Sequence, residues 1–332
     1  MDTSLPTTSP LITTRWDAML LTQLQYFVAL AREEHFGRAA AACFVSPSTL
    51  SEAVRKLEVE LGVPLVRRGH AYEGLTPEGE MALTWARRVV SDQEALSAEI
   101  AAARGQLTGV ARIGTIPAGI ALATAVVSAL ADAHPLVRST VQSGLNSEDV
   151  VARLRAFELD AGIIHPSAAD GPDLVSVPLG EVTNVVVAAP GMFPEDQPSI
   201  TGRMLAEVPL GLLAADMRAR QLADEAWRAA GLQIKPRLEA DSNEALLSLV
   251  TSGLWAAVVP ETAVAARRDD PSIHVLPLIE PEVSTPLAVV RLAGKPAPVL
   301  VRALGAAAQA VLKDPRRAAQ ARRSRIGATS SS

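Results

Sequence analysis

"FGRAAAACFVSPSTLSEAVRKLEVELG", residues Phe36 to Gly62, decides how this 332-residue chain is read. It reads as a short alanine-rich helix, a break at Phe44–Val45–Ser46 and a second helix opened by proline. In the second helix Leu50, Val54, Leu57 and Leu61 recur at steps of four, three and four, one apolar face of a 3.6-residue period. The other face carries Ser48, Thr49, Glu52, Arg55 and Lys56. Ser46 is a good N-cap, because its hydroxyl accepts from an early backbone N–H. Pro47 suits the first helical position, where its missing N–H is no loss. The break therefore starts a helix at a defined residue. Short side chains in its first turn let the backbone approach the floor of a DNA major groove. There Ser and Thr bond base edges or phosphates, and Thr touches a thymine methyl. This pattern predicts a helix–turn–helix motif over 36–55.

Upstream, LTQLQYFVALARE (Leu21–Glu33) places Leu21, Leu24, Phe27, Val28 and Ala31 on one helix face. Residues 1–18, rich in Ser, Thr and Pro, are expected to be a disordered tail. Downstream, residues 63–76 hold two short apolar segments about a turn at Arg68–His70, with Gly69 inside it, which predicts a small β-hairpin or wing. The DNA-binding domain so defined covers 19–76. It holds no excess of cations: residues 20–90 contain eight Lys/Arg and eight Asp/Glu, and the chain's net charge is −5. Recognition must then rest on a few placed cations and on direct base contacts rather than on bulk field. Arg38, Ser46, Pro47, Ser48, Thr49, Glu52, Arg55, Lys56, Arg67 and Arg68 form the candidate contact set. Glu52 is either an acceptor for cytosine N4 or a solvated helix residue.

From Pro77 to about Arg104 the only breaker is Gly79, near the start. Ala82, Trp85, Ala86, Val89, Leu96, Ile100 and Ala103 fall at steps of three and four or their multiples, with Gln93 as the polar member of the stripe. So narrow a seam on so long a helix (77–104) lies against either a partner helix or its own domain. Trp85, Val89, Leu96 and Ile100 are the candidate dimerisation residues.

After Gly105 strand and helix patterns alternate: VARIGTI (110–116), a helix over 118–133, STVQSG (139–144), a helix over 147–157 and LDAGIIH (159–165). Alternation of this kind predicts a parallel sheet covered by helices. A second series has strands near 183–189, 209–213, 236–240 and 255–260 and helices near 217–230 and 243–252. LAVVRL (287–292) and a helix over 298–312 follow. These segments predict two α/β lobes with a cleft over 109–312. Lobe I covers about 109–165 and 270–312, lobe II about 166–269, and the chain crosses near 165–175 and 268–276. The tail, 313–332, carries five Arg among small residues and is expected to be disordered, either solvated or a DNA-binding arm.

Other function classes find no support. Cys43, the one cysteine, rules out an internal disulfide and a cysteine-based zinc site, and it reads as a small buried hydrophobe. The five His show no metal-ligand spacing. GTIPAG matches neither phosphate-binding glycine pattern, and no G-x-S-x-G elbow is present. An enzyme, a metal and a cofactor are therefore not expected. No apolar run reaches the roughly 18 residues of a membrane span, and the N-terminus has no secretory pattern, so the expected location is the cytoplasm and not a membrane.

LTQLQYFVALAREEHFGRAAAACFVSPSTLSEAVRKLEVELGVPLVRR, followed by LTPEG, resembles the winged helix–turn–helix of LysR-type transcriptional regulators. Phe36 and Ala39–Ala40 match the second helix of that family, and Ser46 with Leu50–Ser51 its recognition-helix start. Leu57–Glu58, Leu61–Gly62, Leu65 and Arg68 match the helix end and wing entry; Leu75, Thr76 and Gly79 match the wing exit. IGTIPAG (113–119), FELDAGI (157–163) and TSGLWAAVVP (251–260) extend the likeness over about 19–312. The chain departs from the family at Pro47 (often Gln), Glu52 (often Arg), Glu78 (often Ala) and Val66 (often Phe), so its operator is expected to differ from the family average.

The resemblance implies an α/β chain with an N-terminal winged helix–turn–helix, a long linker helix and a two-lobed, periplasmic-binding-protein-like effector domain. It implies duplex DNA as partner, assembly as a dimer or tetramer, and RNA polymerase as a further partner if the protein activates. It also implies a small polar or anionic effector in the cleft, at strand ends and helix N-termini. The residues at those places are Thr115, Pro117 and Ala118, then Asn146 and Ser147, then His165, and in lobe II Met217, Arg218, Arg220, Ser242 and Asn243. Each has an ordinary structural use as well: Thr115 and Ser147 as caps, His165 as a loop residue, Arg218 as a partner of Asp216. A DNA-binding protein with a ligand-free, purely structural lobe pair is the alternative.

Overall fold

The computed structural model describes residues 21–68, 72–169, 171–265, 267–294 and 297–313. The expectations for the N-terminal tail, for residues 314–332 and for the tip of the wing fall outside these residues. The chain divides into two units between Glu94 and Ala95.

The first unit contains α1 (Leu21–Glu33), α2 (Phe36–Ala42), α3 (Pro47–Leu61), the hairpin β1 (Val66–Arg68) and β2 (Tyr72–Leu75), and most of α4 (Pro77–Ala103). Phe27 and Leu30 of α1 and Leu50, Val54 and Leu57 of α3 are fully buried in one core. That is the apolar face expected for α3, minus the half-buried Leu61. Ser46 Oγ accepts from the Thr49 N–H at 3.1 Å. At the other end Gly62 closes the helix with φ 74°, a left-handed position that glycine adopts without strain.

The hairpin is tied to both neighbouring helices. Glu58 Oε1 accepts from the N–H groups of Leu65 (2.9 Å) and Val66 (3.1 Å). Thr76 Oγ1 donates to the Pro64 carbonyl (2.7 Å) and accepts from the Gly79 N–H (2.9 Å), capping α4.

The expected seam of α4 divides. Leu83 and Ala86 are buried in the first unit and Ala98 in the core of the second, whereas Trp85, Val89, Leu96 and Ile100 are exposed. Ala86 thus leaves the partner stripe for its own domain's core.

The second unit begins with β3 (Gly109–Thr115), α5 (Ile120–Ala133), β4 (Val137–Ser143), α6 (Ser147–Arg155) and β5 (Ala161–Ile164). The long β6 (Leu174–Ala188) leads to β7 (Ile200–Thr201), α7 (Gly202–Leu205), β8 (Leu210–Leu213), α8 (Arg218–Ala229), β9 (Leu238–Ala240), α9 (Asn243–Thr251), β10 (Ala256–Pro260) and α10 (Glu261–Val264). The series ends with β11 (His274–Ile279), β12 (Ser284–Leu292) and α11 (Val299–Lys313). The strand order is β4-β3-β5-β12-β6-β10-β8-β9, with β11 on β6 and β7 on β11. Pairs β3–β4, β3–β5, β8–β9 and β8–β10 are parallel, as the alternation required.

Strand β6 serves both lobes. Its first part pairs antiparallel with β12, up to Thr183 against Ser284. Its last part pairs with β10 and β11, Val185 against Val259 and Pro277. Side chains alternate there: Val185 and Val187 enter one lobe II core, Val186 and Ala188 the other. The crossings expected near 165–175 and 268–276 are therefore corrected to about 183 and 280–284, and His274–Ile279 belongs to lobe II. At the crossing the buried Asn184 amide donates to the Val283 carbonyl (3.2 Å). Pro178 and Gly180 in β6 and Pro277 in β11 break the apolar pattern that marks strands, which hides these segments in the sequence.

Candidate functional site

The exposed face of α3 carries Ser48, Thr49, Glu52, Arg55 and Lys56 outward from a buried apolar base. Ser46 Oγ lies 2.8 Å from both Ser48 Oγ and Thr49 Oγ1, so the first turn presents a cluster of hydroxyls. Arg55 binds Glu52 through Nε and Nη2, each at 3.0 Å. That contact holds the Glu52 carboxyl below its ordinary pKa. Each Glu52 oxygen thus accepts one bond from Arg55 and keeps a second lone pair, so a contact to cytosine would share the carboxylate with Arg55.

Arg38 donates instead to the Glu33 carbonyl, at the end of α1. The Arg67 guanidinium lies against Gly74 of the wing, which has φ 108°. Arg68 ends β1. Two features of the turn region escape a reading of the residues alone. His35 Nδ1 caps α2, accepting from the N–H groups of Gly37 and Arg38. Phe44, with φ 57°, is 96% exposed beside the start of α3. An asparagine or glycine would have signalled that left-handed turn; phenylalanine does not. Cys43 is half-buried, and burial raises its pKa, the reverse of a reactive thiolate.

In the second unit two adjoining pockets open between the lobes, with about 20 and 30 Å³ of room for a water-sized sphere. The second gathers Pro117, Ala118, Asn146, Ser147 and His165 from lobe I and Met217, Arg218 and Ala219 from lobe II. The first is lined mainly by lobe II: Leu212, Arg220, Ala223, Trp227, Asn243 and Val258, with Asn184 and Pro260. Nine of the eleven cleft residues expected from the sequence line these walls.

Thr115 and Ser242 line neither pocket. Thr115 is fully buried and its hydroxyl donates to the Ile116 carbonyl (3.1 Å). Ser242 Oγ caps α9 through the Ala245 N–H. Asn146 also caps its helix, α6 (2.7 Å), and Ser147 Oγ accepts from the His165 N–H (3.2 Å). Arg218 pairs with Glu225 (2.9 Å) rather than with Asp216. Arg220 pairs with Asp224 (2.9 Å) and Glu239 (3.0 Å).

His165 is 3% exposed. Burial lowers its pKa, a bond to the Pro286 carbonyl opposes the shift and the Arg218 charge adds to it, leaving a value of about 4. Trp227, at the back of the first pocket, has no signal of its own in the sequence, because a buried tryptophan on an amphipathic helix reads as core. Among the described residues no group of His, Cys, Asp or Glu could hold a metal ion, and no helix is long and apolar enough to cross a membrane.

Comparison with known proteins agrees with both halves. Residues 21–80 match the bacterial regulatory helix-turn-helix protein, lysR family, and residues 104–313 match the LysR substrate binding domain. A probable hydrogen peroxide-inducible genes activator of Mycobacterium avium is 30% identical over 243 residues, covering 73% of this chain and 78% of that protein. The DNA-binding transcriptional dual regulator OxyR of Escherichia coli K12 is 29% identical over 288 residues, with coverage of 84% and 91%. The structure of a full-length OxyR variant from Pseudomonas aeruginosa superposes with a TM-score of 0.69 at 30% identity, over 87% of this chain and 94% of that one. With a helix–turn–helix whose polar face stands free and a two-lobed domain whose cleft collects polar side chains, the chain belongs to the LysR family of DNA-binding transcriptional regulators.

Proposed function

We propose that the protein recognises a pseudo-palindromic duplex site through the exposed face of α3 and regulates transcription in response to a small molecule held between its lobes. The observation that carries the DNA half is the hydroxyl cluster at the capped start of α3 beside the exposed Arg55 and Lys56. The double variant Arg55→Ala/Lys56→Ala is expected to weaken operator binding. If both side chains reach phosphates, its log–log salt dependence becomes shallower by about 1 for each phosphate no longer neutralised. Titration of a labelled operator over a salt series measures this, and an unchanged slope and affinity would take both residues out of the DNA interface.

The cleft half rests on the convergence of residues 117, 118, 146, 147, 165 and 218 on one pocket from two lobes. The relatives named for peroxide do not carry that response to this chain. Its one cysteine, Cys43, lies in the first unit, so a response built on cysteine oxidation within the effector domain is excluded.

Assembly through α4 is the third element. Leu96 is 61% exposed in the single chain, so Leu96→Asp leaves the protomer's own core intact. Against a partner helix, however, it places an unpaired carboxylate in an apolar seam. Sedimentation is expected to show a smaller assembly for this variant. An unchanged assembly would move the interface off Leu96.

A further inference from the structure

Three residues that line the cleft each carry a buried polar atom with no hydrogen-bond partner: His165 Nδ1, Trp227 Nε1 and Asn243 Oδ1. The three side chains are between 1% and 3% exposed. His165 lines one pocket and Trp227 and Asn243 the other, and the pockets share Ala118, Leu213 and Ala219, so they form one continuous wall. Buried polar groups in native structures are nearly always hydrogen-bonded, to protein or to a bound water or ligand, so each of the three has capacity for an occupant.

An indole N–H only donates, and an amide oxygen only accepts. Pro286 has no N–H, so its bond with His165 runs from the ring to its carbonyl. Since Nδ1 is unpartnered, the donor is Nε2. The ring is neutral at pH 7, which leaves a lone pair on Nδ1. The wall therefore asks for two donors and one acceptor.

It does not ask for charge. Arg218 is held by Glu225, and Arg220 by Asp224, Glu239 and the Leu213 carbonyl (2.8 Å). Both cations thus already have carboxylate partners, and an entering anion must compete with those carboxylates for them. The intervening surface, from Leu212, Ala223 and Val258, is apolar.

We propose that the effector is an uncharged compact molecule with an apolar body, whose hydroxyl or amide groups donate to His165 Nδ1 and Asn243 Oδ1 and accept from Trp227 Nε1. This narrows the polar-or-anionic expectation drawn from the sequence. It rests on the cleft being the effector site. The present room suits water-sized groups, so a ligand of this class enters by displacing water and parting the walls.

The test is calorimetry on the full-length protein with matched pairs: uracil and orotate, catechol and salicylate, benzamide and benzoate. At least one neutral member is expected to bind about tenfold more tightly than its anionic counterpart. Trp227→Phe, which keeps the bulk but removes the N–H, and His165→Phe are each expected to weaken that binding about tenfold, with folding checked by circular dichroism. Preference for the anions, neutral binding indifferent to both substitutions, or no binding of any neutral member each overturns the proposal. Anion binding lost in Arg218→Gln would keep the cleft as effector site while removing this chemistry. Failure of every probe at millimolar concentration would remove both.

Discussion

Gly79→Ala is expected to destabilise the DNA-binding unit by about 3 kcal/mol and to abolish operator binding near its melting point. On helix propensity alone the change should stabilise by about 1 kcal/mol, because Gly79 lies in the first turn of α4. Local packing reverses the sign. A Cβ on Gly79 would stand 2.1 Å from the Leu65 carbonyl oxygen and 3.2 Å from Leu75 Cβ. The first is backbone, and it is already bonded to the Thr76 N–H at 3.0 Å, so it cannot swing aside without undoing the wing. The Thr76 bonds to Pro64 and Gly79 would be strained by the same shift. Thermal unfolding followed by circular dichroism, beside an operator titration, reads both effects. A melting temperature equal to or above that of the parent would show that the hairpin can move away from α4 at no cost.

Acidification is expected to destabilise the second unit through His165, by up to about 3 kcal/mol between pH 6.5 and 4. The sign follows from its depressed pKa of about 4, against an ordinary 6.5. Below pH 6.5 the unfolded chain takes up a proton that the folded ring refuses, so the unfolded state binds more protons and stability falls with pH. The loss levels off near pH 4, where the folded ring titrates as well. Burial is the main cause, and the neighbouring Arg218 charge acts in the same direction. Denaturant titrations at half-unit pH steps, for the parent and for His165→Phe, isolate the contribution: the difference between the two curves should slope only inside this window. A flat difference would mean that His165 reaches water, or a carboxylate partner, in solution.

The two expectations lie at opposite ends of what can be read from residues alone. The helix–turn–helix was legible because its determinants are local. Ser46 caps within three residues, Pro47 starts the helix, Gly62 stops it, and the apolar face of α3 repeats at one period. All of these are set by neighbours along the chain, and the structure realises each of them. The alternation after Gly105 was legible for the same reason, since strand and helix periods differ within a few residues.

Long-range pairing was not legible. Strand β6 runs through Pro178 and Gly180 because the distant β12 supplies its partners, and no local signal announces that. The seam of α4 looked single, yet tertiary packing turned Ala86 inward and left Trp85 and Leu96 outside. In the cleft, spacing found the turns at Pro117, Asn146 and His165, because helix starts after strands are local events. It could not find Trp227, which is a core residue of lobe II as well as part of the pocket wall. Nor could it tell that Glu225 and Glu239 engage the arginines, or that Thr115 spends its hydroxyl on Ile116. Short-range sterics and periodicity set the elements, their order and the residues at their ends, so these could be read from the amino acids. Which charges are paired and which polar atoms stay open depends on segments that meet across the fold, and only burial in the folded chain decides it.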